Sequence, residues 1–151
     1  MESKIVFKPA FKVVGCAYVG RNQNGEIPKL WDRFLARMHE PRGIHPGVSY
    51  GLCMNAPEGS FEGEFEYVAG VEVADDGEIP AGMVYREVPA NKYAVFTHNG
   101  PLDTLKDSMY DIYSNREGLA WAESNFNMEV YTEDFIPGHP DSRLYIYMAI
   151  Q

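Results

Sequence analysis

Cysteine is nearly absent from this chain: Cys16 and Cys53 are the only two in 151 residues. Two so far apart suggest neither a disulfide framework nor a zinc site, and a reducing cytoplasm is the expected setting. Long apolar runs are missing as well. The first nine residues hold no stretch of signal-peptide length, and no segment is long enough to span a bilayer, so a soluble, cytoplasmic chain is expected. Positive charge is scarce, with 13 Lys and Arg against 22 Asp and Glu and a net charge of −9. Such a surface repels DNA and anionic membranes. The nearest approach to a basic cluster, Arg33, Arg37 and Arg42, is interleaved with Asp32 and Glu40. Neither direct nucleic-acid binding nor membrane association is expected. No Gly-rich phosphate loop, nucleophile elbow or Ser-His-Asp order is found, and His39, His45 and His139 lack ligand spacing, so neither cofactor nor metal is implied.

What the chain does hold is aromatic: 10 Tyr, 8 Phe and 2 Trp. Its length predicts one domain, residues 1–151, large enough to bury roughly 70% of its unfolded surface. Within it an internal repeat is visible. Lys8-Pro9-Ala10-Phe11-Lys12 followed by Gly20 resembles Val88-Pro89-Ala90-Asn91-Lys92 followed by Gly100. Proline cannot donate to a strand ladder, so Pro9 and Pro89 mark strand starts or bends. Extended runs follow, Val13 to Tyr18 and Tyr93 to His98.

A helix is expected after each run. Over 27–38, Leu30, Phe34 and Met38 recur every four residues beside Ile27 and Trp31, with Pro28 near the start, where its missing N–H costs nothing. Trp31 on this stripe reads as core. Over 103–113, Leu105, Met109, Ile112 and Tyr113 share a side and Asp103 is a plausible N-cap. Two strands then follow each helix, Ser49 to Met54 with Phe65 to Val73, and Phe126 to Thr132 with Leu144 to Ala149, joined by loops rich in Pro and Gly. A further strand, Met83 to Val88, precedes the second half. The chain therefore reads as α+β: duplicated β-α-β-β units over about 1–75 and 81–151, an antiparallel sheet, two helices on one face and a central ligand cleft.

One carboxylate stands out. In Phe126-Asn-Met-Glu-Val-Tyr131, period-2 alternation puts Phe126, Met128 and Val130 on one face and Asn127, Glu129 and Tyr131 on the other. With the helices on the Phe126 face, the opposite face is expected to collect Glu129, Tyr131, Tyr145 and Tyr147, with Phe96, His98, Cys16, Tyr18 and Glu66. Glu129 among rings can pair with a cationic ligand or act as a proton donor or base, because desolvation raises a carboxyl pKa. A surface carboxylate is the plain alternative. Tyr145 and Tyr147 can equally be cross-strand packing pairs, and His98 can anchor a loop. Glu66 matches Tyr145 in the repeat and is the candidate second acid, set against a run of surface glutamates at 62, 64 and 66. The twin of Glu129 is Cys53, which carries no charge.

Six strings occur in order: Ile27-Pro-Lys-Leu-Trp31, Ser49-Tyr-Gly-Leu-Cys53, Tyr67-Val-Ala-Gly-Val-Glu-Val73, Tyr93-Ala-Val-Phe-Thr-His98 with Gly100, Phe126-Asn-Met-Glu-Val-Tyr131 and Tyr145-Ile-Tyr147. Together they resemble the GyrI-like small-molecule-binding domain, the effector-binding domain of bacterial transcription activators. The resemblance covers nearly the whole chain. It implies two pseudo-symmetric halves around an aromatic cleft, with the key acid at Glu129. It also implies ligands that are hydrophobic and often cationic or planar, such as drugs and toxins. A subset of the family resembles hydrolases of cyclopropane-bearing toxins, an activity that would make Glu129 catalytic. Others act on protein partners, as gyrase inhibitors or regulator effector subunits, although no interface signature for such a partner is visible. With no helix-turn-helix segment before Val6, a stand-alone member is expected. The chain departs from the pattern at residues 114–121, where Trp121 is expected to supply an aromatic to the ligand site.

Overall fold

A computed structural model of the chain describes residues 1–75, 77–114 and 118–151. Asp76 of the junction between halves, and Asn115, Arg116 and Glu117 of the departing segment, lie outside the described residues. The elements are β1 (Lys4–Lys8), β2 (Phe11–Gly20), α1 (Glu26–Leu35), β3 (Ser49–Asn55), β4 (Phe65–Val73), β5 (Val84–Val88), β6 (Asn91–Asn99), α2 (Leu105–Ser114), β7 (Asn127–Tyr131) and β8 (Arg143–Ile150). The strands form one antiparallel sheet in the order β1-β6-β8-β7-β3-β4-β2-β5. Replacing each strand by its counterpart four places along the chain reverses this order onto itself. The α+β class, the antiparallel sheet and the paired helices are therefore as expected from the sequence. Each unit also carries a short leading strand; β1 escaped the pattern reading because Ile5, Val6 and Phe7 form too brief an apolar run between lysines. Asp103 sits inside a 3-10 turn, Leu102–Thr104, which leads into α2, rather than at an N-cap.

A covalent constraint shapes the sheet. β1 lies at one end of the strand order and β2 almost at the other, yet only Pro9 and Ala10 separate them. The same holds for β5 and β6, joined by Pro89 and Ala90. The two ends of the sheet must approach each other, so the sheet coils around one face. That inner face buries Phe11, Val13, Tyr50, Leu52, Val68, Val88, Tyr93, Phe126, Met128, Val130 and Ala149 as one cluster to which, among the described residues, no helix contributes. Gly15 and Gly70, directly paired between β2 and β4, permit the coil. A Cβ on Gly15 would stand 2.0 Å from the Ala69 carbonyl oxygen, and one on Gly70 would stand 2.6 Å from Val13 Cγ1.

Both helices pack on the outer face. Leu30 and Phe34 of α1 bury themselves against Val14, Cys16, Tyr67, Ala69 and Val71. Ile112 of α2 buries itself against Ala94, Phe96, Ile146 and Met148. Each such side chain contributes roughly 1.5–3 kcal/mol by leaving water. Among the described residues α1 contacts β2 and β4, α2 contacts β6, and the helices do not contact each other. The central strands β7 and β3 run between them.

The account of the coil predicts that Gly15→Ala destabilises the fold by about 1–3 kcal/mol, the cost of forcing atoms into a filled backbone contact. Urea unfolding checks this; a midpoint matching the wild type would show that the contact yields freely.

Candidate functional site

Glu129 sits at the centre of β7, opposite Gly51 of β3 on one side and Ile146 of β8 on the other. These pairings put it on the outer face, in the gap between α1 and α2. The sequence expectation therefore needs correction on two points. The helices cover the Glu129 face, not the Phe126 and Met128 face. Tyr145 and Tyr147 also lie on the other side of the sheet from Glu129, because the β7–β8 register opposes Val130 to Tyr145 and Met128 to Tyr147. A shift of one residue in pairing exchanges the faces of a strand, and alternation within each strand cannot fix it.

Glu66 is likewise on the inner face. It lies opposite Met54, is 7% exposed, and is gripped by Arg86 through Nε at 2.9 Å and Nη2 at 3.2 Å. The expected two-acid arrangement across a cleft is therefore not formed. Tyr145 donates its hydroxyl to Asp134, and Tyr147 packs edge-on against Tyr93.

The other candidates share the face of Glu129 but divide among three tasks. Phe96 is core beneath α2. His98 is buried, with Nε2 2.8 Å from the Pro101 carbonyl and Nδ1 2.7 Å from Ser108 Oγ. A carbonyl only accepts, so Nε2 carries a proton and donates it to Pro101, while Nδ1 shares a hydrogen bond with the Ser108 hydroxyl. His98 thus ties β6 to the 3-10 turn and α2, the loop-anchoring alternative. Tyr18 lies at the other end of the face, edge-on to Phe65, its hydroxyl accepting the Asn22 amide. Trp121 bridges to Ile150 and packs in the cluster under α2.

The groups that do meet Glu129 are Tyr67, Tyr131, Trp31 and Gly51. Tyr67 donates its hydroxyl to Glu129 Oε1 at 2.6 Å and Tyr131 donates to the same oxygen at 2.9 Å. Trp31 Nε1–H in turn donates to the Tyr67 oxygen at 2.9 Å. A tryptophan from α1 is thereby wired through a buried phenol to the carboxylate on the sheet. Gly51 makes the space: a Cβ there would stand 2.0 Å from the Tyr67 hydroxyl oxygen and 2.7 Å from Glu129 Oε1. The rings continue as a band, Trp31 5.0 Å from Tyr131 and Tyr131 4.8 Å from Phe135, both edge to face. Among the described residues the second carboxyl oxygen, Oε2, makes no hydrogen bond within the chain.

The sequence did carry a signal for these partners. A glycine inside a strand marks close approach by other groups, and Gly51 is one. Tyr67 heads an apolar run in which alternation alone gives its hydroxyl no partner, and Trp31 reads as core because it borders the Leu30–Phe34 stripe.

Electrostatically the site is strained in one direction. Burial raises the Glu129 carboxyl pKa above its ordinary 4.5, and the two phenol donors pull it partly back. Burial, then the Glu129 charge, pushes Tyr67 and Tyr131 far up, so both stay protonated donors. Burial likewise lifts Cys53 to about 11, helped by Glu129, so its thiol is not a nucleophile at neutral pH. Among the described residues no cluster of His, Cys, Asp and Glu could hold a metal ion.

Comparison with known proteins follows this geometry. The profile of a family described as "Cass2: Integron-associated effector binding protein" matches residues 4–150. The transcriptional regulator BrlR of Pseudomonas aeruginosa is 43% identical over 99% of this chain; the chain spans about half of that protein, 56% of its length. The structure of SAV2435 bound to tetraphenylphosphonium superposes with a TM-score of 0.80 at 19% identity, covering 100% of this chain and 94% of that one. The integron cassette protein VCH_CASS2 from the mobile metagenome of Vibrio cholerae does so at 0.73 and 19% identity, over 99% and 96%. These two likenesses concern the fold.

Two outcomes test the electrostatics. Tyr67→Phe removes a donor that lowers the Glu129 pKa, so the carboxyl titrates higher still, read by carboxyl carbon NMR. In the wild type the raised pKa contributes stability that is present below pH 4.5 and lost as pH rises through the folded value. Glu129→Gln abolishes that loss, so its melting temperature exceeds the wild type at neutral pH, and the gap shrinks below pH 4.5.

Proposed function

Because this chain belongs to the integron-associated effector binding protein family, we propose that it binds a hydrophobic, cationic or planar small molecule at Glu129. One observation carries this reading. The Glu129 carboxylate is held by two phenols through one oxygen, and among the described residues its other oxygen is unengaged and the two helices flanking it make no backbone approach to each other. A charge kept in a low-dielectric site at a cost in folding stability is explained by a ligand that repays the cost. A delocalised cation suits it, since such an ion loses little hydration on entering an aromatic gap and gains both the carboxylate and the ring faces. Tetraphenylphosphonium, bound by the similarly folded SAV2435, is the natural probe.

The rings of Trp31 and Tyr131 are in contact, so a bulky ligand has to part them. Trp31 then loses its edge-on neighbour, and its hydrogen bond to Tyr67 is the adjustable link between α1 and the sheet. The protein is thus an effector-binding module. Its relation to a larger regulator follows the example of BrlR, which carries a matching region within a longer chain. A hydrolytic role would need a second acid or base near Glu129, and Glu66 is on the opposite face.

Calorimetric titration with tetraphenylphosphonium tests the reading. Glu129→Gln is expected to weaken binding by roughly 30-fold or more, the usual loss when one partner of a buried charge pair is neutralised. Triphenylphosphine oxide, a neutral relative, should respond little to the same change. Equal affinity of both proteins for the cation would remove Glu129 from the centre of the site.

A further inference from the structure

The inner face, on the other side of the sheet from Glu129, holds a second arrangement of rings around a positive charge. Lys8 Nζ at the end of β1 lies 4.3 Å from the Phe11 ring centroid and 5.8 Å from that of Tyr50. The same ammonium is 3.9 Å from Glu72 Oε1, and the Tyr50 hydroxyl donates to that oxygen at 3.1 Å. Phe11 and Tyr50 are themselves in ring contact at 5.0 Å. Two rings and a carboxylate thus converge on one point, and the carboxylate is oriented by a tyrosine, as Glu129 is on the outer face.

Two further facts make this more than a surface ion pair. Phe11 and Tyr50 are 7% and 4% exposed, so the ring faces are fixed parts of the core. The Lys8 and Glu72 side chains keep 24% and 25% of their surface in water, so the point where they meet can be reached from solvent.

We propose that Phe11, Tyr50 and Glu72 form a second cation-recognition site, specific for a primary alkylammonium, that Lys8 occupies in cis and that a free alkylamine of the same chemistry takes by displacing it. A primary ammonium fits because the resident group is one. Its three N–H donors can meet Glu72 while the charge rests on the ring faces. The alkyl stem of such a ligand can lie along apolar surface while its charge rests at the rings, as amphipathic side chains do. The site involves none of the residues around Glu129, so its failure would leave the Glu129 reading untouched, and the reverse also holds.

The test uses n-butylammonium, with n-butanol as the uncharged control. The protein is labelled with lysine carrying carbon-13 at Cε, which leaves every ammonium primary. Lys8 is identified by its ring-shifted Cε methylene signal, and the amine is titrated into protein carrying Glu129→Gln, so that binding at the outer site is silent. The Lys8 signal is expected to move to the position of a solvent-exposed lysine, and n-butanol should leave it in place. Independently, unlabelled Lys8→Ala should bind n-butylammonium roughly tenfold more tightly than protein with Lys8, and Lys8→Ala with Glu72→Gln should lose that gain. A Lys8 signal that does not respond to the amine overturns the proposal, and so does a Lys8→Ala protein that binds no more tightly. Should Lys8→Ala fail to fold, the labelled-lysine titration decides alone.

Discussion

A carboxylate withdrawn from water needs donors, and the way Glu129 obtains them organises the middle of this molecule. Its two donors come from different strands, Tyr67 on β4 and Tyr131 on β7 itself. Strand β3 lies between β4 and β7 in the sheet, and a side chain at its position 51 would block their meeting. The helix α1 then closes over the phenol through Trp31. Four elements therefore have their relative positions read out at one oxygen atom. Removing the Tyr67 hydroxyl, for example, leaves the Trp31 N–H without the acceptor it has now, a cost of about 1–3 kcal/mol.

The coil of the sheet sets the stage for this. Two-residue links at Pro9-Ala10 and Pro89-Ala90 force both ends together and commit one face to a closed apolar core. The helices are left the outer face, and because each belongs to its own half they settle apart. The gap between them falls over the centre of the strand order, where Glu129 and its uncharged twin Cys53 stand on either side of the Leu52–Met128 pair. A symmetric scaffold thus presents one acid and one thiol, and the asymmetry is what gives the gap a sign.

Much of this was legible in the sequence. The strands were visible as period-2 runs, the helices as stripes of Leu30 and Phe34 and of Leu105, Met109 and Ile112, and the duplication as repeated Pro-Ala links. The family resemblance drawn from six ordered strings agrees with the family the chain belongs to. What alternation cannot supply is register between strands. Tyr145 and Tyr147 were grouped with Glu129 because both strands alternate, yet Ile146 stands opposite Glu129 and the tyrosines face the inner core. Tyr67, Gly51 and Trp31 were passed over for the same reason, since each acquires its role only when β3, β4, β7 and α1 are brought together. Glu129 was found because a charge in an apolar strand is conspicuous by itself.

The central claim is that burial raises the pKa of the Glu129 carboxyl and that a bound cation favours its ionised form. Proton release on binding measures this directly. Titrations with tetraphenylphosphonium at weakly acidic pH, repeated in buffers of different ionisation enthalpy, give the number of protons exchanged. The account predicts net release by the wild type and none by Glu129→Gln. Binding without proton release at every pH, or equal release from both proteins, would contradict it.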